Sequence, residues 1–155
     1  MKPDDWSNSA YIIAGFALAV TQAYVPAFGL IFLGIASYIA HVEGGDWWYS
    51  DWAGMYLAMV AITLHNVGHP LYFWAVIAPI LIGTLYYRFD SYALTGALWC
   101  AVVASAYLAG LSITIPVILF ALALGLRQLG EVRHYQFNHS AWHVLTAYGF
   151  YLLVS

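Results

Sequence analysis

From Ser9 to Val154 the chain is a succession of apolar runs, parted only by short breaks of proline, glycine and charge. Only 7% of the 155 residues are charged, where an ordinary soluble domain carries roughly 25%. So few charges cannot cover a water-facing surface, and the expected solvent is lipid. The expected class is an all-α integral membrane protein, with residues 1–155 as one transmembrane domain, because the chain has no room for a soluble domain beside the bundle. The net charge of −3 comes without any basic run, so nucleic acid is not an expected partner. The single Cys100 excludes an intrachain disulfide. Asp4 and Asp5 precede the first apolar run where a cleavable signal wants positive charge, so that run is expected to stay in the mature protein.

The breaks divide the chain into seven expected helices. The first runs from about Ser9 to Tyr24, with Ser7 or Asn8 as cap. Pro26 opens the second, which reaches about His41 before the polar stretch Glu43, Gly44, Gly45, Asp46. The third runs from about Ser50 to Asn66, stopped by Gly68 and Pro70, and the fourth from about Leu71 to Tyr87. Asp90 or Ser91 caps a fifth that ends near Gly110. A sixth covers about Ser112 to Leu129 with Pro116 in its first turns, and a seventh about Asn138 to Val154. Crossing a hydrocarbon core takes about 20 residues, and several of these segments sit at or below that length. One long tilted span over Ser9 to Ala40 would leave six helices; Pro26 and the length of that run favour two. Gly29, Gly34, Gly54 and the stretch from Ala101 to Ala109 suit close helix packing in lipid.

Seven spans sort the charges. Lys2, Arg88, Arg127 and Arg133 all fall on the side of the N-terminus, as do Asp4, Asp5, Glu43, Asp46, Asp51, Asp90 and Glu131. The opposite loops, near Tyr24, Asn66 and Gly110, carry none. The positive-inside rule makes the charged side cytoplasmic. The same count brings His41, Asp51, His139 and His143 to that side from three distant segments. An error of one helix before the last would undo the convergence.

Ser37 and His41 are spaced i, i+4, and so are His139 and His143, so each pair shares a helix face. A His-x-x-x-His face chelates zinc naturally. A third histidine from another helix leaves a fourth position for water, the open catalytic plan, and zinc acidifies such a water to a pKa of roughly 7. Asp51 is the candidate to take its proton and pass it to a leaving group. Ser37, one turn before His41, is the candidate donor to a developing oxyanion. Each residue alone also has a structural explanation. A single His often packs helices or sits at an interface, Asp51 can favour the first turn of its helix, and Ser37 can bond back to its own helix. Ionisable groups within a membrane are costly and tend to be functional, and their convergence favours the joint reading.

These residues resemble the CREST superfamily, whose members include alkaline ceramidases, progestin and adipoQ receptors, haemolysin III-like proteins and a group of lipid-remodelling proteins. The resemblance rests on Ser37-x-x-x-His41, an Asp near the next helix start, and His139-Ser140-Ala141-Trp142-His143 in the last helix. The stretch Asp5-Trp6-Ser7-Asn8-Ser9-Ala10-Tyr11 is most similar to the opening of the ceramidase branch. The resemblance implies a seven-transmembrane-helix bundle with an intramembrane zinc site near one face. It makes His41, His139 and His143 the zinc ligands, Asp51 the general acid/base and Ser37 the oxyanion stabiliser. The implied reaction is hydrolysis of a lipid amide such as ceramide. The polar extension that helps form a calcium site in eukaryotic ceramidases is reduced here to Asp4, Asp5 and Asn8, so calcium is not expected. Chain length and sparse loops suggest a bacterial homologue, whose lipid need not be ceramide.

Two other functions are compatible with the residues. One is a receptor or channel of the same superfamily that keeps zinc without hydrolysing anything. The other is a haem protein, invited by the six His and by a second His-x-x-x-His at His65 and His69. Haem, however, needs axial ligands from facing helices, and no partner faces His65; Pro70 also takes His69 out of regular helix. His134 reads as a loop residue. Trp47, Trp48, Tyr49 and Trp52 read as an interfacial belt, and Tyr86, Tyr87 and Arg88 as an anchor.

Overall fold

Each break in the apolar pattern becomes a helix end. The computed structural model describes residues 6–43, 48–88, 91–133 and 136–155, with the side chains of all of these but 48, 130–133, 136 and 137. Lys2, Asp4, Asp5, Asp46, Trp47, Asp90 and His134 therefore lie outside the described residues. The described residues form seven helices and no strand: α1 Ser9–Val20, α2 Tyr24–Glu43, α3 Trp48–Asn66, α4, α5 Tyr92–Leu108, α6 Thr114–Arg133 and α7 Gln136–Leu152. Helix α4 is composite: a 3₁₀ turn at Pro70–Tyr72, α-helix over Phe73–Leu81 and a π-helical end at Ile82–Tyr86. Among the described residues one helix, α2, is by length and composition long and apolar enough to cross a membrane; α1, α4, α5 and the stretch Thr114–Leu129 of α6 are apolar but shorter.

The ends differ from the sequence expectation where local chemistry intervenes. Helix α1 stops at Val20 because Gln22 adopts a left-handed φ of 65°, while the N–H groups of Gln22 and Ala23 bond back to the carbonyls of Ala19 and Leu18. The chain can then start α2 at Tyr24, and Pro26 falls in its first turn, where a missing N–H costs nothing. Ser91 caps α5 as expected, its Oγ accepting from the Leu94 N–H at 3.2 Å. Asn8 occupies the N-cap of α1 but makes no side-chain cap bond; its side chain is buried instead.

Helices α1 and α2 run antiparallel along a seam of glycines. A Cβ on Gly15 would lie 2.8 Å from the Ala27 carbonyl oxygen, and one on Gly34 3.0 Å from that of Asn8. Helices α2 and α3 meet in the same way at Gly29 and Gly54. Helix α3 is the centre of the bundle, with Trp52, Ala53 and every residue from Tyr56 to Ile62 buried. Trp52 thus departs from the interfacial belt: it packs against Tyr56 and Tyr92 in the core, because the first turns of α3 are already enclosed.

Helix α5 runs parallel to α3. The Tyr56 hydroxyl meets Ser91 and Thr95 at one end, and the Asn66 amide reaches Ser105 Oγ at 3.4 Å near the other, while also donating to the Leu153 carbonyl, just past the end of α7, at 2.9 Å. Trp99 of α5 stacks on Phe150 of α7, with Phe120 of α6 against both. Tyr11 of α1 bonds to Thr146 of α7 across the remaining seam. Large apolar side chains cover the outside, with Leu71 93% and Val20 85% exposed.

Candidate metal centre

Three imidazoles converge where the end of α2 meets the start of α7. His41 Nε2 lies 2.8 Å from His139 Nε2, which lies 3.0 Å from His143 Nε2. The candidate ligand atoms all fall within 4.8 Å of one another, close enough to hold a metal ion. A tetrahedral ion with metal–nitrogen bonds of about 2.0–2.1 Å would part such nitrogens to about 3.3 Å. A small adjustment of the rings suffices. The two approaches of 2.8 Å and 3.0 Å leave no room for a haem macrocycle between His139 and either partner.

Each pair arises from helical spacing, and packing brings the pairs together. Ser37–His41 and His139–His143 are both i, i+4. The ring of His143 is 3% exposed, and those of His41 and His139 are partly buried. The tautomer of His41 follows from its surroundings. Its Nδ1 is 2.7 Å from the carbonyl oxygen of Ser37. A carbonyl only accepts, so Nδ1 carries the proton, and a neutral ring presents a bare lone pair at Nε2 toward the other two histidines.

Asp51, in the first turn of α3, completes the group. Its carboxylate accepts a hydrogen bond from the Ser37 hydroxyl and lies within electrostatic reach of His41 and Arg127. The Ser37 side chain is fully buried, and its Oγ is 3.5 Å from His41 Nδ1, a marginal distance beside the backbone contact. Ser37 thus serves two partners by different atoms, its main-chain oxygen holding His41 and its hydroxyl Asp51. All five residues singled out from sequence therefore stand together. The pair His65 and His69 lies at the far end of α3, with His69 against Tyr72.

Three neighbours were not singled out for roles. Tyr11 is buried, its hydroxyl 2.5 Å from Thr146 Oγ1, and its ring meets that of His143 edge to face at 5.6 Å. Thr146 donates in turn to the Trp142 carbonyl at 2.7 Å. Arg127 of α6 lies over the Trp142 ring at 5.3 Å. In sequence, the i, i+3 spacing of Thr146 from His143 and the place of Tyr11 at the end of the stretch from Asp5 were the hints at this layer.

No protein-family profile matches the chain, and no curated protein matches it at a significant level.

Proposed function

We propose that this protein is a membrane-embedded, zinc-dependent hydrolase of lipid amides, similar to the alkaline ceramidases of the CREST superfamily. The observation that carries this reading is the meeting of three imidazole nitrogens with a hydrogen-bonded serine–aspartate pair. Three neutral histidines suit zinc and leave a coordination position open. A zinc ion bound there would act as a Lewis acid and make water nucleophilic near neutral pH.

The chain's own residues divide the remaining work. The Ser37 carbonyl keeps His41 in the ligating tautomer. Asp51 takes the proton released from water and delivers it to the leaving nitrogen. While Asp51 is ionised, the Ser37 hydroxyl donates to it. Once Asp51 is protonated that hydroxyl is released, and it can donate to the developing oxyanion.

Lipid as surroundings and as substrate draws on independent support. Charged residues are 7% of the chain, and its exposed shell is rich in Leu, Val, Ile and aromatic side chains. A shallow apolar groove of about 410 Å³ runs between α1 and α7, lined by Ala10, Ile13, Ala17, Val144 and Tyr148. Its lining includes Ala10 and Val144, the sequence neighbours of Tyr11 and His143, and offers an acyl chain a path along the bundle. The positive-inside rule assigns the metal end, where Arg127 lies, to the cytoplasm.

The test is metal content by elemental analysis, together with fatty-acid release from ceramides and other N-acyl lipids. About one zinc per chain is expected in wild type, lost in His143→Ala, with hydrolysis lost in Asp51→Ala. Metal-free wild type purified without chelator refutes the site. Bound zinc with no acyl lipid cleaved refutes the hydrolase and leaves the receptor reading.

A further inference from the structure

Buried polar atoms are almost always hydrogen-bonded, so exceptions mark something. Among the described residues three buried side-chain atoms have no partner: Nδ2 and Oδ1 of Asn8, and Nδ1 of His143. The two residues are 1% and 3% exposed, so bulk water does not serve them.

Their chemistry is complementary. His143 directs Nε2 at the other imidazoles. A neutral ring ligating through Nε2 must carry its proton on Nδ1, which makes Nδ1 a donor. Asn8 offers an amide oxygen as acceptor. Their placement also agrees. Asn8 and Tyr11 are three apart at the start of α1, joined by the Tyr11 N–H donating to the Asn8 carbonyl at 3.2 Å. Tyr11 is the residue whose ring meets His143. Asn8 is also pressed against Gly34 of α2, three residues before Ser37. It therefore starts the helix that packs against both α2 and α7, the two that supply the imidazoles, and it makes no cap bond that would occupy its side chain.

We propose that Asn8 is the positioning residue for His143, its amide oxygen accepting the Nδ1 proton through one buried water. This rests on the metal reading above, and it gives His143 what the Ser37 carbonyl gives His41. Metal-binding histidines usually carry such a second partner, which fixes the tautomer and raises ligand basicity.

Two measurements test it. The first is zinc affinity by chelator competition in wild type, Asn8→Leu, Asn8→Ala and Asn8→Asp. Leu and Ala, which cannot accept, should weaken zinc by about 10–100-fold, and Asp, which can, should bind within about threefold of wild type. The second is ¹⁵N NMR of histidine-labelled, metal-free protein. The His143 ring N–H should exchange slowly in wild type and Asn8→Asp, and lose that protection in Asn8→Leu and Asn8→Ala. Unchanged affinity in Leu and Ala overturns the proposal. So does weakened affinity with an unchanged ring N–H, because Asn8 then acts through the fold alone. If wild type takes up no zinc but the ring N–H still follows Asn8, the metal reading fails and the contact stands.

Discussion

Ser37→Ala separates two functions that one residue combines. The substitution removes a fully buried hydroxyl and leaves the main-chain oxygen that holds His41 Nδ1 at 2.7 Å. The hydroxyl's own distance to that nitrogen is 3.5 Å, too long to add much to ring orientation. Zinc occupancy should therefore stay at the wild-type level. The Asp51 carboxylate, in contrast, loses its donor. Once Asp51 is protonated, the developing oxyanion loses that same donor; a hydrogen bond to a charged group is worth about 1.5–3 kcal/mol, so its loss at the transition state slows turnover by roughly 10–150-fold. Elemental analysis and fatty-acid release on the same preparation read both quantities. A metal-depleted Ser37→Ala would refute the division between main chain and hydroxyl. Wild-type turnover would remove the Ser37–Asp51 contact from the chemistry.

Asp51→Ala should keep its zinc, since no ligand is touched, and lose at least about 100-fold in hydrolysis; depletion of metal would instead make Asp51 part of the ion's own shell. Tyr11→Phe removes the hydroxyl that meets Thr146 but keeps the ring beside His143. Thermal unfolding should show a loss of about 1 kcal/mol, with metal content unchanged. Gly15→Ala forces a Cβ to 2.8 Å from the Ala27 carbonyl oxygen and 2.6 Å from Ile31, and should destabilise by about 1–3 kcal/mol. Gly96→Ala, within α5 and meeting nothing within 4 Å, should instead stabilise by about 0.5–1 kcal/mol in the same assay. Equal effects at the two glycines would refute the close α1–α2 seam.

Local chemistry was legible in the sequence wherever the physics is local. Proline, glycine and charge interrupt helices by short-range effects, so seven helices could be counted from the breaks in the apolar pattern. Spacing of i, i+4 puts two side chains on one face whatever surrounds them, so both pairs, Ser37–His41 and His139–His143, were visible before any packing was known. Antiparallel counting then brought α2, α3 and α7 to one end. What spacing cannot give is the rotation of one helix against another, and that rotation sets every contact between them. Glycine seams set the depth of α1 on α2, and so place Tyr11 against His143. The same packing draws Trp52 into the core, where its neighbours in sequence read as an interfacial belt. It also turns the Ser37 hydroxyl to Asp51 while its carbonyl keeps His41. The sequence by itself determined which residues have ligand chemistry and at which end of the bundle they lie. Only the tertiary structure decided which atoms face one another, because a donor and its acceptor on different helices share no sequence spacing.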